Sequence, residues 1–194
     1  MDFPLSAKAT DKASGDQIDC QIWKASPAYV ANEGKQTVWS EWHYAEDDEE
    51  ADWDWEAIIQ ECLVLRSRYE LYSCWVGETL HGLMVVDLAG MAIGNQKHIV
   101  VDYLVSNPAN RPKERGLKYI GTALVVLAAK RSIELGMQGR VFLASLGKSE
   151  PFYANLGFER LDTKSSEGYN EYVLDAEAAQ ELLKLACQKG IICL

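Results

Sequence analysis

Four basic side chains lie just before a long helical pattern, and this arrangement could bind an anion. They fall between Asn107 and Gly121, in a chain whose formal net charge is -10, and they are Arg111, Lys113, Arg115 and Lys118. A helix begins with backbone N–H groups that have no intrahelical partner and with the positive end of its dipole. Because Gly121 has no side chain, a diphosphate could approach the backbone there and meet donors as well as positive charge. A solvated basic loop that caps an ordinary helix is the alternative, since one glycine at a helix start is a weak signal.

Tyr153 is a second residue whose type suits chemistry. A phenol with an ordinary pKa of about 10 stays protonated at neutral pH and can donate a proton to a leaving group. Tyr153 follows Pro151, which fits the first turn of a helix, and precedes Gly157, which ends one. The alternative is a packing residue that seats this short helix.

Alternating strand and helix patterns must position these residues. In the second half, β-branched and apolar runs predict strands at 97–105, 141–145, from 158 onward and at 171–174. Apolar residues at helical spacing predict helices at 119–135, at about 151–156 and at 176–189. In the first half we expect a loose polar start at 1–15, a strand at 18–23, a helix at 55–66 and a hairpin of strands at 71–76 and 81–88.

Residues 99–160, taken as a set, resemble the core of the GNAT superfamily of acetyl-CoA-dependent N-acetyltransferases. Residues 152–158 match the family's FYxxLGF pattern in full. The family's pyrophosphate loop has Arg or Gln, two variable residues, Gly, one variable residue, then Gly or Ala. In residues 116–124, Gly121 and the following Thr-Ala-Leu match, but Gly116 stands where Arg or Gln is usual and Tyr119 where Gly is usual. Arg115 could supply the missing charge if the loop is one residue longer.

The resemblance implies both a fold and an activity. The fold is α+β (α/β), with a GNAT-like mixed, mostly antiparallel central sheet flanked by helices and an added C-terminal helix. Residues 1–194 would form one domain, with a coenzyme-binding core at about 97–161. The implied activity is transfer of an acetyl group from acetyl-CoA, the cosubstrate, to a primary amine by direct attack, without a metal. The acceptor would be a small molecule or a protein lysine or N-terminus.

The resemblance also implies roles for individual residues. Tyr153 matches the family's general acid, and backbone N–H groups at a strand bulge would face the thioester. Asp102 is a possible general base and His98 a less favoured one, with a solvated surface residue as the alternative for each and ordered water as the alternative base. The implied cofactor-binding residues are Leu104, Val105, Arg115, Gly116, Leu117, Lys118, Tyr119, Ile120, Gly121 and Thr122.

An acidic, tryptophan-rich segment at 39–56 lies where the family builds its acceptor site. Carboxylates and indole faces suit a cation, so residues 40–56 could contact a positively charged acceptor such as a polyamine, a lysine side chain or an aminoglycoside. The alternative is that Asp52 or Asp54 caps a helix while the tryptophans pack inward.

Composition limits the remaining classes. The acidic charge and the lack of a basic stripe argue against a nucleic-acid partner. No apolar run approaches the roughly 18 residues of a membrane span, so we expect a cytoplasmic protein without a membrane partner. The five cysteines include no CxxC pair, which indicates neither a zinc site nor a disulfide framework and favours buried thiols. The C-terminal helix could cover the sheet, extend the acceptor site or form a homodimer contact.

Two other functions stay open at this point. A coenzyme-A-binding GNAT fold with reduced catalysis could serve as a sensor or partner module, because Gly116 and Tyr119 depart from the loop pattern. An unrelated α/β nucleotide binder is disfavoured, because the sequence has one strand–loop–helix unit and no acidic ribose-binding residue after a glycine-rich turn.

Overall fold

A computed structural model describes residues 4–25, 42, 44–45, 48–111 and 114–192. The strands of this described part are β1 Leu5–Asp11, β2 Gln17–Lys24, β3 Tyr69–Val76, β4 Thr79–Ile93, β5 Gln96–Ser106, β6 Leu117–Lys118, β7 Val141–Ser145, β8 Glu159–Lys164 and β9 Asn170–Leu174. The helices are α1 Trp55–Val64, α2 Ile120–Glu134, α3 Glu150–Asn155 and α4 Ala176–Gln188.

The strands form one mixed sheet in the order β6-β1-β2-β3-β4-β5-β7-β9-β8. Pairing is antiparallel between β1 and β2, β1 and β6, β2 and β3, β7 and β9, and β8 and β9. Strand β5 pairs in parallel with β7, with Ile99 opposite Val141 and Val100 opposite Phe142. The predicted architecture, a mixed and mostly antiparallel sheet flanked by helices, is therefore confirmed.

The expectation of a loose polar start is wrong. Leu5–Asp11 forms β1, which pairs with β2 so that Ala7 lies opposite Cys20. Its buried positions, Ala7 and Ala9, carry alanines between polar neighbours. Alanine is a poor strand former and gives little hydrophobic signal, so the sequence pattern missed a strand that its distant partners stabilise.

The chain divides into two compact units. The first comprises Met1–Val85 with Tyr103–Leu124, and the second comprises Val86–Asp102 with Val125–Leu194. The first unit has an aromatic-rich core that includes Trp42, Trp55, Ile59, Cys62, Leu71, Trp75, Leu80, Leu83, Val85 and Val105. In the second unit the buried side chains include Val86, Ile99, Val125, Leu127, Val141, Leu143, Leu174 and Ala179. The single domain proposed from the sequence stays a prediction.

Two other expectations concern membranes and cysteines. None of the helices in the described part is long and apolar enough to cross a membrane. Cys20, Cys62 and Cys74 are buried, as predicted. Cys187 is disulfide-bonded, contrary to the expectation of thiols only. Spacing along the chain, on which that expectation depended, does not report proximity in space.

Candidate functional site

The chain between β5 and α2 is anchored at its start by Asn107. The side chain of Asn107 accepts a hydrogen bond from the Ala109 N–H at 2.9 Å and donates one to the Leu80 carbonyl at 3.1 Å. The Asn107 N–H donates to the His81 carbonyl at 2.9 Å. A 3-10 turn over Pro108–Asn110 follows, and β6 then leads into α2. We call the described residues of this stretch, 107–111 and 114–119, the connecting loop.

Gly116 is sterically required in the connecting loop. Its φ is +82°, and a β-carbon there would lie 2.5 Å from the Ala109 carbonyl oxygen and 2.7 Å from the Asn110 Cα. Its carbonyl accepts a hydrogen bond from the Lys12 N–H at 3.0 Å. The arginine or glutamine of the family pattern cannot take this position without moving the backbone, because no larger residue fits. The departure at Gly116 therefore has a structural cause.

Tyr119 lies where the loop pattern has a glycine, and it adopts a glycine-like conformation. Its φ is 74°, and the side chain is 38% exposed. The left-handed conformation costs an L-residue roughly 1–2 kcal/mol. The Tyr119 carbonyl nevertheless accepts the first hydrogen bond of α2, from the Ala123 N–H at 2.8 Å. The backbone path of the loop is thus compatible with a glycine at this position.

The start of α2 presents backbone donors. Because Ala123 is the first intrahelical donor, the N–H groups of Ile120, Gly121 and Thr122 precede the helical hydrogen-bond ladder. The first turn of α2 contains no acidic residue. Nearby on the loop, Arg115 and Lys118 are exposed. The combination can attract an anion.

Gly82 brings the helix start close to the strands, and the sequence analysis did not single it out. A β-carbon on Gly82 would lie 2.7 Å from Ile120 Cγ2 and 3.3 Å from the Val105 carbonyl oxygen. Two of the predicted coenzyme residues, Ile120 and Val105, therefore meet at this glycine. The signal in the sequence was a glycine inside a strand, which often marks close approach of another chain segment.

All ten predicted cofactor-binding residues belong to the first unit, within Tyr103–Leu124. Val105 and Ile120 are buried, whereas Leu104 is half-buried. The bulge expected at Leu104 and Val105 stays a prediction, as does the role of each residue in binding.

Arg111, one of the four basic residues, is engaged by the acidic segment. Its guanidinium forms ion pairs with Asp48 at 2.5 Å and with Glu50, and it lies 5.5 Å from the centre of the Tyr44 ring. The side chains of Asp48 and Glu50 are mostly buried. Burial raises the pKa of Tyr44 to about 12, so this phenol stays protonated. Lys113 lies outside the described residues.

Much of the remaining acidic segment is structural. Asp54 caps α1, because its Oδ1 accepts a hydrogen bond from the Ala57 N–H at 3.0 Å. Trp42 and Trp55 are buried. Trp53 packs edge-on against Tyr103 with ring centroids 5.1 Å apart. These residues therefore fit the alternative interpretation, in which an aspartate caps the helix and the tryptophans pack inward. Trp39 lies outside the described part.

Tyr153 lies in the second unit, on the short helix α3, and is 6% exposed. Its ring contacts Phe152 at a centroid distance of 5.0 Å, Phe158 at 5.5 Å and Tyr172 at 6.5 Å. Because its ring packs among these aromatic side chains, Tyr153 fits the interpretation of a packing residue. Its role as a general acid stays a prediction.

Glu150 ties the aromatic cluster to β9. Its carboxylate accepts hydrogen bonds from Asn170 at 2.6 Å and from the Tyr172 hydroxyl at 2.9 Å. The hydrogen bonds from Asn170 and Tyr172 hold the pKa of Glu150 below its ordinary value. The short helix is therefore held to the sheet by its first residue.

The two candidate bases differ in exposure. Asp102 is exposed, whereas His98 is 3% exposed, so the interpretation of His98 as a solvated surface residue is wrong. Burial lowers the pKa of His98, and the charge of Arg140 lowers it further. His98 is thus held neutral, and its Nδ1 has no hydrogen-bond partner among the described residues. Nor does the described part contain a group of three or more His, Cys, Asp or Glu side chains that could hold a metal ion.

Comparison with known proteins gives likeness of fold alone. No protein-family model matches the sequence, and no curated protein matches it. FdhC, a nucleotide-linked sugar GNAT, has a TM-score of 0.58 at 9% identity, covering 98% of this chain and 99% of its own. A mutant AtaT toxin bound to the C-terminus of the antitoxin AtaR has a TM-score of 0.56 at 15% identity, covering 84% and 96%. The PaiA N-acetyltransferase of Thermoplasma acidophilum, in complex with coenzyme A, has a TM-score of 0.53 at 19% identity, covering 80% and 98%.

Proposed function

Since the chain has the fold of the GNAT superfamily, we propose that it is a cytoplasmic acyltransferase that moves an acetyl group from acetyl-CoA to a primary amine. The observation that carries this proposal is the start of α2. Three backbone N–H groups there, those of Ile120, Gly121 and Thr122, precede the helical ladder, and the first turn holds no acid. PaiA was solved with coenzyme A, and AtaT with acetyl-CoA, which supports a coenzyme of this class for the shared fold.

The residues of the connecting loop fit a diphosphate. The N–H groups of Ile120, Gly121 and Thr122 would donate to its oxygens, and the positive end of the α2 dipole would stabilise its charge. Arg115 and Lys118, both exposed, would add positive charge. Arg111 is left out of this role, because Asp48 and Glu50 already neutralise it.

Acetyl transfer by direct attack needs three contributions from the protein. The amine nitrogen attacks the thioester carbonyl carbon, the carbon–sulfur bond breaks, and the sulfur takes a proton. Backbone N–H groups at Leu104 and Val105 would stabilise the carbonyl oxygen as its charge develops. Tyr153 would donate the proton to the sulfur. A base must accept the proton that the amine loses, and Asp102 or ordered water would supply it.

Several carboxylates of the acidic segment are not available to a cationic acceptor. Asp48 and Glu50 pair with Arg111, and Asp54 caps α1, so these carboxylates are already engaged within the protein. Asp52 and Asp54 both flank Trp53 and are both exposed, but Asp52 is not the cap of α1. For a cationic acceptor, we expect Asp52→Asn to raise the acceptor KM while Asp54→Asn does not, because asparagine caps a helix as well as aspartate does. Equal acceptor kinetics in both variants would remove the cationic acceptor from the proposal.

Coenzyme binding is the first test. Unfolding temperature is measured with acetyl-CoA, coenzyme A and NAD. A ligand at 100 times its Kd stabilises the native state by about 2.7 kcal/mol, and we expect this of both CoA species but not of NAD. If neither CoA species raises the unfolding temperature, the proposal fails. A transfer assay across a panel of amines then identifies the acceptor.

Tyr153→Phe tests the general acid. Loss of a positioned proton donor typically slows a reaction by about 10²–10⁴-fold, so we expect kcat to fall by that order with the Kd for coenzyme A nearly unchanged. Tyr172→Phe is the matched control, because it removes a hydroxyl from the same aromatic cluster. If the two variants lose activity equally, the Tyr153 hydroxyl has no special role.

A coenzyme-binding sensor or partner module with reduced catalysis is the second candidate. It is favoured by Tyr119, whose left-handed conformation and exposed ring depart from the glycine of the loop pattern. This function would be selected if the protein binds coenzyme A but transfers acetyl to no amine, and if Tyr153→Phe binds coenzyme A with an unchanged Kd.

A further inference from the structure

Five aromatic side chains of the first unit, which we call the tryptophan cluster, include three buried hydrogen-bond donors. Trp42 packs edge-on against Tyr44, with ring centroids 6.5 Å apart, and Trp55 packs edge-on against Trp53 and Tyr103, at 5.9 and 6.1 Å. The indole nitrogens of Trp42 and Trp55 and the hydroxyl of Tyr44 are buried, and none of them has a hydrogen-bond partner among the described residues. Buried Trp N–H and Tyr O–H groups ordinarily have one, so the cluster retains an unused capacity to donate.

Two of these donors, the Tyr44 hydroxyl and the Trp55 indole N–H, lie close together. Burial raises the pKa of Tyr44 to about 12, so the phenol keeps its proton, and the nearby Trp55 N–H opposes this rise. The two groups lack the geometry of a hydrogen bond. An indole nitrogen can only donate, so even an N–H turned towards the phenol oxygen would leave the Tyr44 proton without an acceptor. The pair therefore needs an acceptor that the described side chains do not supply.

The charges beside Tyr44 decide which kind of oxygen suits these donors. Arg111 lies over the Tyr44 ring, and its ion pairs with Asp48 and Glu50 combine two carboxylates with one guanidinium. This excess of negative charge repels an incoming carboxylate but not a neutral carbonyl oxygen, and it attracts an ammonium group. The surroundings of the donors therefore suit a molecule that carries both an amine and a neutral carbonyl.

The tryptophan cluster also adjoins the proposed site of transfer. Tyr103, whose ring contacts Trp53 and Trp55, immediately precedes Leu104, one of the two residues proposed to face the thioester. Tyr44, Trp53 and Tyr103 are half-buried, so the cluster reaches the surface of the first unit. A molecule bound at the cluster is thus close along β5 to the proposed thioester donors.

We propose that the Tyr44 hydroxyl and the Trp55 N–H bind a neutral carbonyl oxygen of the acceptor, and that the acceptor is an α-amino amide, such as an amino-acid amide or a peptide N-terminus. The inference rests on the proposed function, because it names the acceptor of the same reaction. The amine nitrogen bonds to the acetyl carbon and loses a proton to the base, while the carbon–sulfur bond breaks and the sulfur takes a proton. The amide carbonyl is unchanged and only positions the amine.

The free protein gives the first test, because a hydroxyl without a partner adds no hydrogen bond to the stability of the fold. Tyr44→Phe should leave the unfolding temperature unchanged or raise it. Tyr72→Phe is the matched control, since Tyr72 is 1% exposed and its hydroxyl donates to the buried carboxylate of Glu70, and it should lower the unfolding temperature. If both variants lose stability equally, the Tyr44 hydroxyl is already bonded within the protein and the inference fails.

Binding is then followed by NMR of the indole N–H groups, with coenzyme A present so that no acetyl group is transferred. Leucinamide should move the Trp55 signal downfield, as expected when a hydrogen bond forms, whereas 3-methylbutylamine should not. Trp75 is the internal control, because its N–H already donates to the Ser73 Oγ at 2.9 Å. A Trp55 signal that responds equally to both compounds would contradict the inference.

Transfer from acetyl-CoA is measured with leucinamide, leucine and 3-methylbutylamine, and with the matching glycine and phenylalanine sets. Because these amines differ in basicity, the kcat/KM of wild type is divided by that of Tyr44→Phe for each one. The ratio should be about three to ten for the amides, the effect of roughly one hydrogen bond, and about one for the amines without oxygen. Each free amino acid should be a poorer acceptor than its amide.

The outcomes separate the inference from the proposed function. Leucylglycine distinguishes the two sources of the amide, since a peptide N-terminus is favoured if it is acetylated faster than leucinamide and a small amide if it is slower. If amides and plain amines give the same ratio, or if only amines outside these sets are acetylated, the inference fails and the proposed function stands. If no amine is acetylated and neither CoA species binds, the proposed function itself fails.

Discussion

A β-carbon on Gly116 would lie 2.5 Å from the carbonyl oxygen of Ala109. Real side-chain carbons are not found this close to a backbone oxygen, so the connecting loop closes on itself only because residue 116 is a glycine. The contact fixes the loop a few residues before the backbone donors of α2. The geometry of the candidate site thus depends on a residue that departs from the sequence pattern.

Gly116→Ala should therefore destabilise the protein by more than the cost of placing alanine in a left-handed backbone conformation. Gly15→Ala is the matched control. The φ of Gly15 is +81°, close to the +82° of Gly116, but a β-carbon on Gly15 would have nothing within 4 Å. The control should lose about 1–2 kcal/mol in the free energy of unfolding, and Gly116→Ala clearly more. Urea denaturation measures both. Equal losses of unfolding free energy in the two variants would mean that the loop moves to accommodate the methyl group.

Tyr119→Gly should stabilise the fold. The substitution relieves a left-handed conformation at φ 74°, and we expect a gain of about 1 kcal/mol after the higher entropy of glycine in the unfolded chain is subtracted. Gln138→Gly is the control for the same relief away from the loop, since Gln138 has a φ of 60°. Thermal unfolding compares the two variants. A lower unfolding temperature in Tyr119→Gly alone would show that the ring contributes packing that outweighs the strain.

The ion pair between Arg111 and Asp48 should be strongly coupled. The guanidinium also binds Glu50 and lies over Tyr44, and its partners are mostly buried, so water screens the charges poorly. A double-mutant cycle of Arg111→Met and Asp48→Asn should give a coupling energy of about 1–3 kcal/mol. The exposed pair of Lys8 and Asp19, 3.2 Å apart, should give roughly 0–1 kcal/mol in the same assay. Comparable values for the two pairs would contradict the structure.

His98 should make the protein less stable in acid. Burial keeps its folded pKa below the ordinary value of about 6.5, so the unfolded chain binds the proton more readily. The stability that neutral His98 contributes is complete above that pH and is lost as pH falls through the folded pKa. His98→Gln, which does not titrate, should flatten this part of the curve of unfolding free energy against pH. A wild-type curve identical in slope to that of His98→Gln would exclude the effect.

The spacing of apolar residues predicted the helices and strands that bury one face. The strand expected at 141–145 is β7, the helix expected at 119–135 is α2, and the C-terminal helix expected at 176–189 is α4. These elements carry apolar residues at a clear spacing, and burial is what their patterns report. The helix cap at Asp54 was foreseen as an alternative for the same reason, since capping depends on neighbours along the chain.

Features that depend on distant partners could not be predicted in this way. Strand β6 has only two residues, and it exists because Lys118 and Leu117 pair with Thr10 and Asp11. The ion pairs of Arg111 join residues about sixty positions apart. The positive φ of Tyr119 contradicts its local preference. The sequence identified the residues of the candidate loop, but the contacts that shape it come from other parts of the chain.

Lys12 binds the connecting loop at two points. Its backbone N–H donates to the Gly116 carbonyl, and its ammonium donates to the Asn110 carbonyl, 98 positions along the chain. The N-terminal hairpin would leave the ribosome well before residues 110–118 are made, and it must remain available until they arrive. Closing so long a segment is entropically costly and slows folding. The loop should accordingly be among the last parts of the first unit to form, and refolding followed by amide exchange should find Leu117 protected later than the strands β2 and β3.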